Sequence, residues 1–242
     1  MSQQQPKQLS VDVGGLSIMP FSSMSEALDQ VISEQQVKPG FGVSVNSEIV
    51  MLARRDPALM AHINKAQLRF ADGIGVVKTI ASKGVPNTRL PGCEFWEALM
   101  LRAGAANAPV MLIGAKPEVN KAAVAKLQAQ GVNVVCGIDG YFSDERVLRD
   151  ALAEHQPKIV TVAMGAPKQE QLIVRLREFY PDAFYLGVGG TYDVYTGHVK
   201  RAPKLFCDLH LEWFYRLCAQ PTRIGRQWSL AKYLALHVTR QL

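Results

Sequence analysis

From Pro109 onward the chain alternates between two kinds of hydrophobic spacing. Short, nearly continuous apolar runs occur at 110–114 (VMLIG), 132–137 (VNVVCG), 158–165 (KIVTVAMG) and 183–190 (AFYLGVGG). Between them lie amphipathic segments of helical length, 117–130, 143–155 and 168–179. A strand that is apolar at consecutive positions is covered on both faces, and strands alternating with helices are joined in parallel. The pattern therefore predicts an α/β, Rossmann-like, mainly parallel sheet flanked by helices. Upstream the same grammar is looser: strand-like 41–45 (FGVSV), a helix over 48–65, a short strand at 68–72 (LRFAD), a helix over 74–82, and a turn-rich link into a helix over 94–104. After Arg201-Ala202-Pro203 the spacing turns helical to the end, with a break at Gln220-Pro221. Two units are expected, an α/β core over 9–200 and a C-terminal helical appendage over 201–242.

The last segment has a face of its own. Stepping about 100° per residue from Ile224, the residues Trp228, Ala231, Leu234, Ala235, Val238 and Leu242 fall within one arc, while Arg223, Arg226, Lys232, His237 and Arg240 occupy the rest. Charge sharpens the contrast. Eight Lys and Arg from Lys200 to Leu242 face only Asp208 and Glu212, so the whole formal excess of +6 lies in the last 43 residues. The first 199 residues are balanced, with 19 groups of each sign. A basic amphipathic helix with Trp on its apolar side reads as an interfacial anchor on an anionic membrane. The alternative is a terminal helix that packs on its own domain with its charges solvated. Nucleic acid is not the expected partner, since aromatic residues are only 8% of the 242 and form no stacking platform.

Composition narrows the class. With 48% apolar and 20% charged residues the chain can bury a sizeable core, which excludes disorder for most of it. No uncharged run approaches the ~20 residues a bilayer-spanning helix needs. Residues 1–10 carry no apolar core and no cleavage site, so no secretory signal is expected there. The four cysteines, Cys93, Cys136, Cys207 and Cys218, contain no CxxC pair, which argues for a reducing compartment rather than a disulfide framework.

The apolar runs of the regular half end in glycine: Gly114, Gly137, Gly165, and Gly187 with Gly189 and Gly190. In a parallel sheet these ends share one edge, where such folds bind ligands. Glycines there permit close backbone approach, and the following helix N-termini offer N–H groups to phosphate. Lys168, after Gly165-Ala166-Pro167, and Lys116, after Gly114-Ala115, add cations at two such junctions. Read bluntly the glycines make tight turns; four on one edge, two beside lysine, point to a phosphate-containing ligand. The dinucleotide GxGxxG with its distant acid is absent, as are the P-loop and any DxD pair that would clamp a Mg²⁺–nucleotide. Cys207, His210 and Cys218 are the nearest approach to a zinc pattern and are expected to be packing residues. No metal and no cofactor is expected. Asp72 follows an apolar strand and precedes Gly73, a position from which its carboxylate can act as general base at the crevice, or cap the helix starting near Ile74. Asn46, ending FGVSV, can orient a substrate hydroxyl or make an Asx turn.

These residues resemble the WecG/TagA/CpsF glycosyltransferase family. The matching segments are Asn46-Ser-Glu, Ala71-Asp72-Gly73-Ile-Gly75, Arg89-x-Pro91-Gly92, Gly114-x-Lys116-Pro117, Asp139-Gly140-Tyr141-Phe142, Met164-Gly165-x-Pro167-Lys168-Gln169-Glu170 and Gly187-Val-Gly189-Gly190-Thr-Tyr-Asp193. The match continues through Lys200-Arg201-Ala-Pro203 and Leu211-Glu212-Trp213-x-Tyr215-Arg216, and so covers nearly the whole chain. It departs at Glu94, where the family often has Asp, and at Ser44, where threonine is common. The resemblance implies an inverting, metal-independent transferase, and the DGYF, VAMGAPKQE and GTYDVYTGHVKRAP segments are most similar to the branch that uses N-acetylmannosaminuronate. It implies a UDP-sugar donor, an N-acetylglucosaminyl-diphospho-undecaprenol acceptor of enterobacterial common antigen synthesis, and a peripheral place at the cytoplasmic face of the inner membrane. Asp72, with Asn46, becomes catalytic. Ser44, Arg89, Gly114, Lys116, Asp139, Gly140, Tyr141, Gly165, Pro167, Lys168, Gln169, Glu170, Gly189 and Gly190 become the UDP-sugar site. Arg201, Arg216, Arg223, Arg226 and Trp228 become candidates for acceptor and membrane contact. A UDP-N-acetylmannosamine transferase of the same family and a nucleotide-sugar-sensing module without catalysis stand as alternatives. Oligomeric state, a homo-oligomer included, is left open.

Overall fold

The computed structural model describes residues 9–200 and 224–242. Arg201, Arg216 and Arg223, and the Cys207–His210–Cys218 set, lie outside the described residues, and Arg226 and Trp228 lie in the C-terminal helix Ile224–Val238. The centre of the molecule is one six-stranded sheet. Its strands are β5 (Gly40–Val45), β6 (Leu68–Ala71), β7 (Val110–Gly114), β8 (Val134–Ile138), β9 (Ile159–Ala163) and β10 (Phe184–Gly187). Their order is β6-β5-β10-β9-β7-β8 and every pairing is parallel. The continuous apolar runs are explained by burial on both faces. Val110 and Leu112 of β7 enter one core while Met111 and Ile113 enter the other, and all four are fully buried. One core holds helices α1 (Met24–Asp29), α5 (Gly92–Ala105), α6 (Pro117–Ala129) and α9 (Thr191–Tyr195); the other holds α2 (Ser47–Ala53), α3 (Pro57–Asn64), α4 (Ile74–Ser82), α7 (Arg146–His155) and α8 (Lys168–Phe179).

Three local features differ from the sequence expectation. The single helix over 48–65 is two, because Pro57 has no N–H to donate and disfavours helix at the residue before it. Asp56 caps the second helix, accepting from the N–H of Ala58 and Leu59. Gly137 lies inside β8 rather than at its end. Two small antiparallel hairpins, β1 (Val11–Val13) with β2 (Leu16–Ile18) and β3 (Ile32–Ser33) with β4 (Gln36–Val37), were not anticipated. The first turns on Gly14-Gly15, both at positive φ, as a two-residue hairpin requires.

The C-terminal helix packs on α2 and α4. Its contact face is centred on Tyr233, fully buried, whose hydroxyl meets Thr79 Oγ1 at 2.8 Å; His237 Nδ1 lies 3.0 Å from the same oxygen. Gly75 makes room, since a Cβ there would come within 3.2 Å of the Tyr233 ring. The arc read from Ile224 is therefore not the packed face: Ala231, Leu234, Ala235 and Val238 stay exposed, and of the arc's described side chains only Leu242 is buried. Among the described residues no helix is long and apolar enough to cross a membrane.

Candidate active site

A cleft of about 460 Å³ opens at the carboxyl ends of four contiguous strands, β6, β5, β10 and β9. That is where open parallel sheets present ligand sites, and the volume suits a small-molecule ligand. Ser44 and Asn46 enter it from the end of β5, Asp72 from the end of β6, Gly165 from the turn after β9, Gln169 from the first turn of α8, and Gly189 and Gly190 from the turn after β10. The expected convergence of a carboxylate with the glycine turns is present.

Asp72 is held by its surroundings. Its N–H reaches Val45 O at 2.9 Å, tying it to the neighbouring strand. The Ser44 hydroxyl donates to Asp72 Oδ2 at 3.0 Å. Arg89 Nε donates to the Asp72 carbonyl oxygen at 2.7 Å, and its guanidinium lies 4.0 Å from Oδ1, with both side chains about one-fifth exposed (21% and 23%). Gly92, first residue of α5, packs directly over the pair: a Cβ there would lie 2.9 Å from Ser44 Oγ and 3.4 Å from Asp72 Oδ2. Gly73 occupies the N-cap position of α4, so Asp72 stands one residue before the cap. Asn46 does cap, accepting the N–H of Ile49 at Oδ1, which leaves its NH₂ as the group able to meet a ligand.

Behind the glycine turns sits Gln169, 6% exposed. Its Oε1 accepts the N–H of Gly165 at 3.1 Å and of Gly189 at 2.9 Å, and its Nε2 donates to Glu170 Oε1 at 2.8 Å. Those two glycine N–H groups, expected to face phosphate, are thus engaged inside the protein. Glu170 is 1% exposed, and burial, with the Glu48 charge adding to it, pushes its carboxyl above the ordinary range. Gly165 and Gly189 have φ of +75° and +54°, which only glycine adopts without strain.

The remaining sequence candidates do not line this cleft. Gly114, Lys116, Asp139, Gly140 and Tyr141 stand at the ends of β7 and β8, the strands beyond β9, with Lys116 and Tyr141 exposed. They are tied to one another: Gly140 N–H reaches Ala115 O at 2.8 Å, Asn120 Nδ2 bonds Gly114 O at 3.0 Å, and Asp139 Oδ1 accepts the Tyr141 N–H. Gly114 is needed for close approach, since a Cβ would fall 2.4 Å from Ala163 O. Pro167 and the exposed Lys168 begin α8 beside the cleft. The sequence reading assigned no role to four residues that do line it: Glu48, Cys93, Asp193 and Lys200. Asp193 and Lys200 carry a signal, because both stand in the long motif after Gly189; Cys93, 3.4 Å from Thr191 Oγ1, carries none. Among the described residues no three of His, Cys, Asp and Glu gather as a metal-holding group.

The arrangement offers a fixed carboxylate, a floor of glycine turns and a lysine at the rim, a set suited to deprotonating a hydroxyl beside a bound anionic donor. The model of one family matches residues 11–242. The chain belongs to the glycosyl transferase WecG/TagA/CpsF family.

Proposed function

We propose that the chain transfers N-acetyl-D-mannosaminuronate from UDP to N-acetylglucosaminyl-diphospho-undecaprenol, with inversion, at the cytoplasmic face of the inner membrane. Glycosyl transfer itself follows from the family, with a nucleotide-sugar donor and a lipid-linked acceptor as its general requirement. The observation that supports the catalytic step is the placement of Asp72 in one cleft with Gly165, Gly189 and Gly190. In the reaction the Asp72 carboxylate takes the proton of the acceptor hydroxyl, whose oxygen attacks the anomeric carbon of the donor sugar. The bond from that carbon to the diphosphate oxygen breaks, and UDP leaves with the electron pair. Asn46 orients a hydroxyl through its NH₂. Lys200, with Lys168 beside the cleft, balances the charge of the leaving diphosphate. Arg201, Arg216, Arg223 and Arg226 serve the acceptor diphosphate, and the segment 201–242 brings the core to an anionic membrane. That reading is supported by the concentration of the whole net charge there and by the outward arc of Leu234 and Val238.

A neutral donor, UDP-N-acetylmannosamine, is favoured by one observation: Glu48, Asp72 and Asp193 all line the cleft. Carboxylates accept hydrogen bonds from sugar hydroxyls and repel a uronate. The deciding experiment supplies a short-chain diphospholipid-N-acetylglucosamine with each donor, without added metal, and weighs the product by mass spectrometry. Transfer of the uronate alone supports the first reading, transfer of the neutral sugar alone replaces it, and transfer of neither overturns both.

A further inference from the structure

Two turns form the floor of the cleft, one after β9 and one after β10, and neither is braced by its own residues alone. Local bonds hold each one, Gln169 N–H to Gly165 O at 3.0 Å in the first and Thr191 N–H to Val188 O at 3.1 Å in the second, and a single carboxamide joins the two. Gln169 Oε1 sits between the N–H of Gly165 and the N–H of Gly189, so one oxygen closes both turns. Its orientation is settled by chemistry, since the reversed amide would aim NH₂ at two N–H donors. The nitrogen end is fixed in turn by Glu170 Oε1 at 2.8 Å. The strand below is shaped for it: at Gly187, the last residue of β10, a Cβ would lie 2.6 Å from Gln169 Nε2.

We propose that Gln169 is a positioning residue that buckles the β9–α8 and β10–α9 turns together, and that Glu170 serves it as a neutral carboxylic acid. Glu170 Oε2 has no hydrogen-bond partner among the described residues although the side chain is 1% exposed. An ionised carboxylate left so would be a buried charge with an empty lone pair, whereas the acid form removes the charge and keeps Oε1 as acceptor. The raised proton affinity from burial agrees with this. Gln169 thus sets the gap between Gly165 and Gly189, and with it the fit of the donor, without carrying a charge to it. Only the kinetic part of this inference rests on the transferase reading.

Hydrogen exchange at the Gly165 and Gly189 amides tests the buckle directly, whatever the enzyme's substrate. Gln169→Ala should speed exchange at both amides about fivefold, the equivalent of the ~1 kcal/mol a net hydrogen bond contributes. Gln169→Asn, one methylene too short to span the turns, should do the same should the alanine variant fold poorly. Gln169→Glu keeps an acceptor oxygen, and the acid form of Glu170 can donate to it, so protection should return. In assays of the active enzyme the alanine variant should raise the donor KM about tenfold and leave the acceptor KM in place. Both amides as protected in the alanine or asparagine variant as in the parent, or a glutamate variant as unprotected as alanine, would overturn the proposal. So would an unchanged donor KM beside a raised acceptor KM. If the parent chain transfers no sugar, the transferase reading fails while the exchange result still decides the buckle.

Discussion

The Ser44 hydroxyl donates to Asp72 Oδ2 at 3.0 Å, across two neighbouring parallel strands. The pairing of β5 with β6 brings Ser44 opposite Phe70, and the two further steps to Asp72 carry the chain just past the sheet edge. Backbone register therefore aims the carboxylate, and Arg89 keeps it there from the far side.

Asp72→Asn should lower kcat about 10²–10⁴-fold, the contribution of a positioned general base, while leaving UDP binding intact. Ser44→Ala, which removes one charge-assisted hydrogen bond, should cost about tenfold. Steady-state kinetics with calorimetric titration of UDP separates the two effects. A parallel loss of UDP affinity in Asp72→Asn would show that the carboxylate binds the donor rather than activating the acceptor.

Glu170 links the site to stability. Its native pKa lies above the 4.5 of an unburied glutamate, so the folded state holds a proton that the unfolded chain gives up first. Stability from this group is complete below about 4.5 and declines as the pH rises towards the native value. Glu170→Gln, which has no proton to lose, should gain on the parent as the pH is raised from 5 to 8. Urea unfolding at the two pH values checks the sign, and a pH-independent difference between the proteins would contradict it.

Much of this architecture is written in local spacing. β7, β9 and β10 read directly as apolar runs because a parallel strand covered on both faces has no polar side to interrupt it. Asp72 was legible for a related reason, since an acid directly after such a run must emerge at the strand's end. The hairpin over Val11–Ile18 has a faint local signal, Gly14-Gly15 between alternating apolar residues, in strands of three residues each. The break before Pro57 is masked by amphipathic spacing that runs on across it. Gln169 reads in the sequence as a donor ligand, and its link to two turns 24 residues apart is not legible there. That link exists only once β9 and β10 pair and two left-handed glycines turn their N–H groups to one point.

Tyr233→Phe should destabilise the fold by about 1 kcal/mol, because Thr79 Oγ1 loses its partner at 2.8 Å in a buried site. Burial and low polarity also push the Tyr233 hydroxyl up to about 12, so no ionisation competes at neutral pH. Thermal unfolding of the pair reads the cost. A variant as stable as the parent would mean that Gly75 O and His237 satisfy Thr79 without the tyrosine.

The exposed arc on the C-terminal helix makes the last test independent of the packed one. Leu234 is 49% and Val238 78% exposed, one turn apart, while Tyr233 faces the core. Replacing both with serine should therefore leave the melting temperature within about a degree, since surface changes cost little. If the arc enters a lipid interface, removing two apolar side chains forfeits roughly 1.5–3 kcal/mol each at full burial, and binding to vesicles rich in anionic lipid should fall at least tenfold. Binding of the parent should also weaken with salt, because Lys232 and Arg240 flank the arc and each basic group near such a surface contributes about 1 kcal/mol. Sedimentation with vesicles of 30% against 0% anionic lipid (~ by mole, well within the range where such potentials act) measures both effects. Equal sedimentation of the parent and the double-serine variant would remove Leu234 and Val238 from the membrane surface and leave the basic segment before them to hold it.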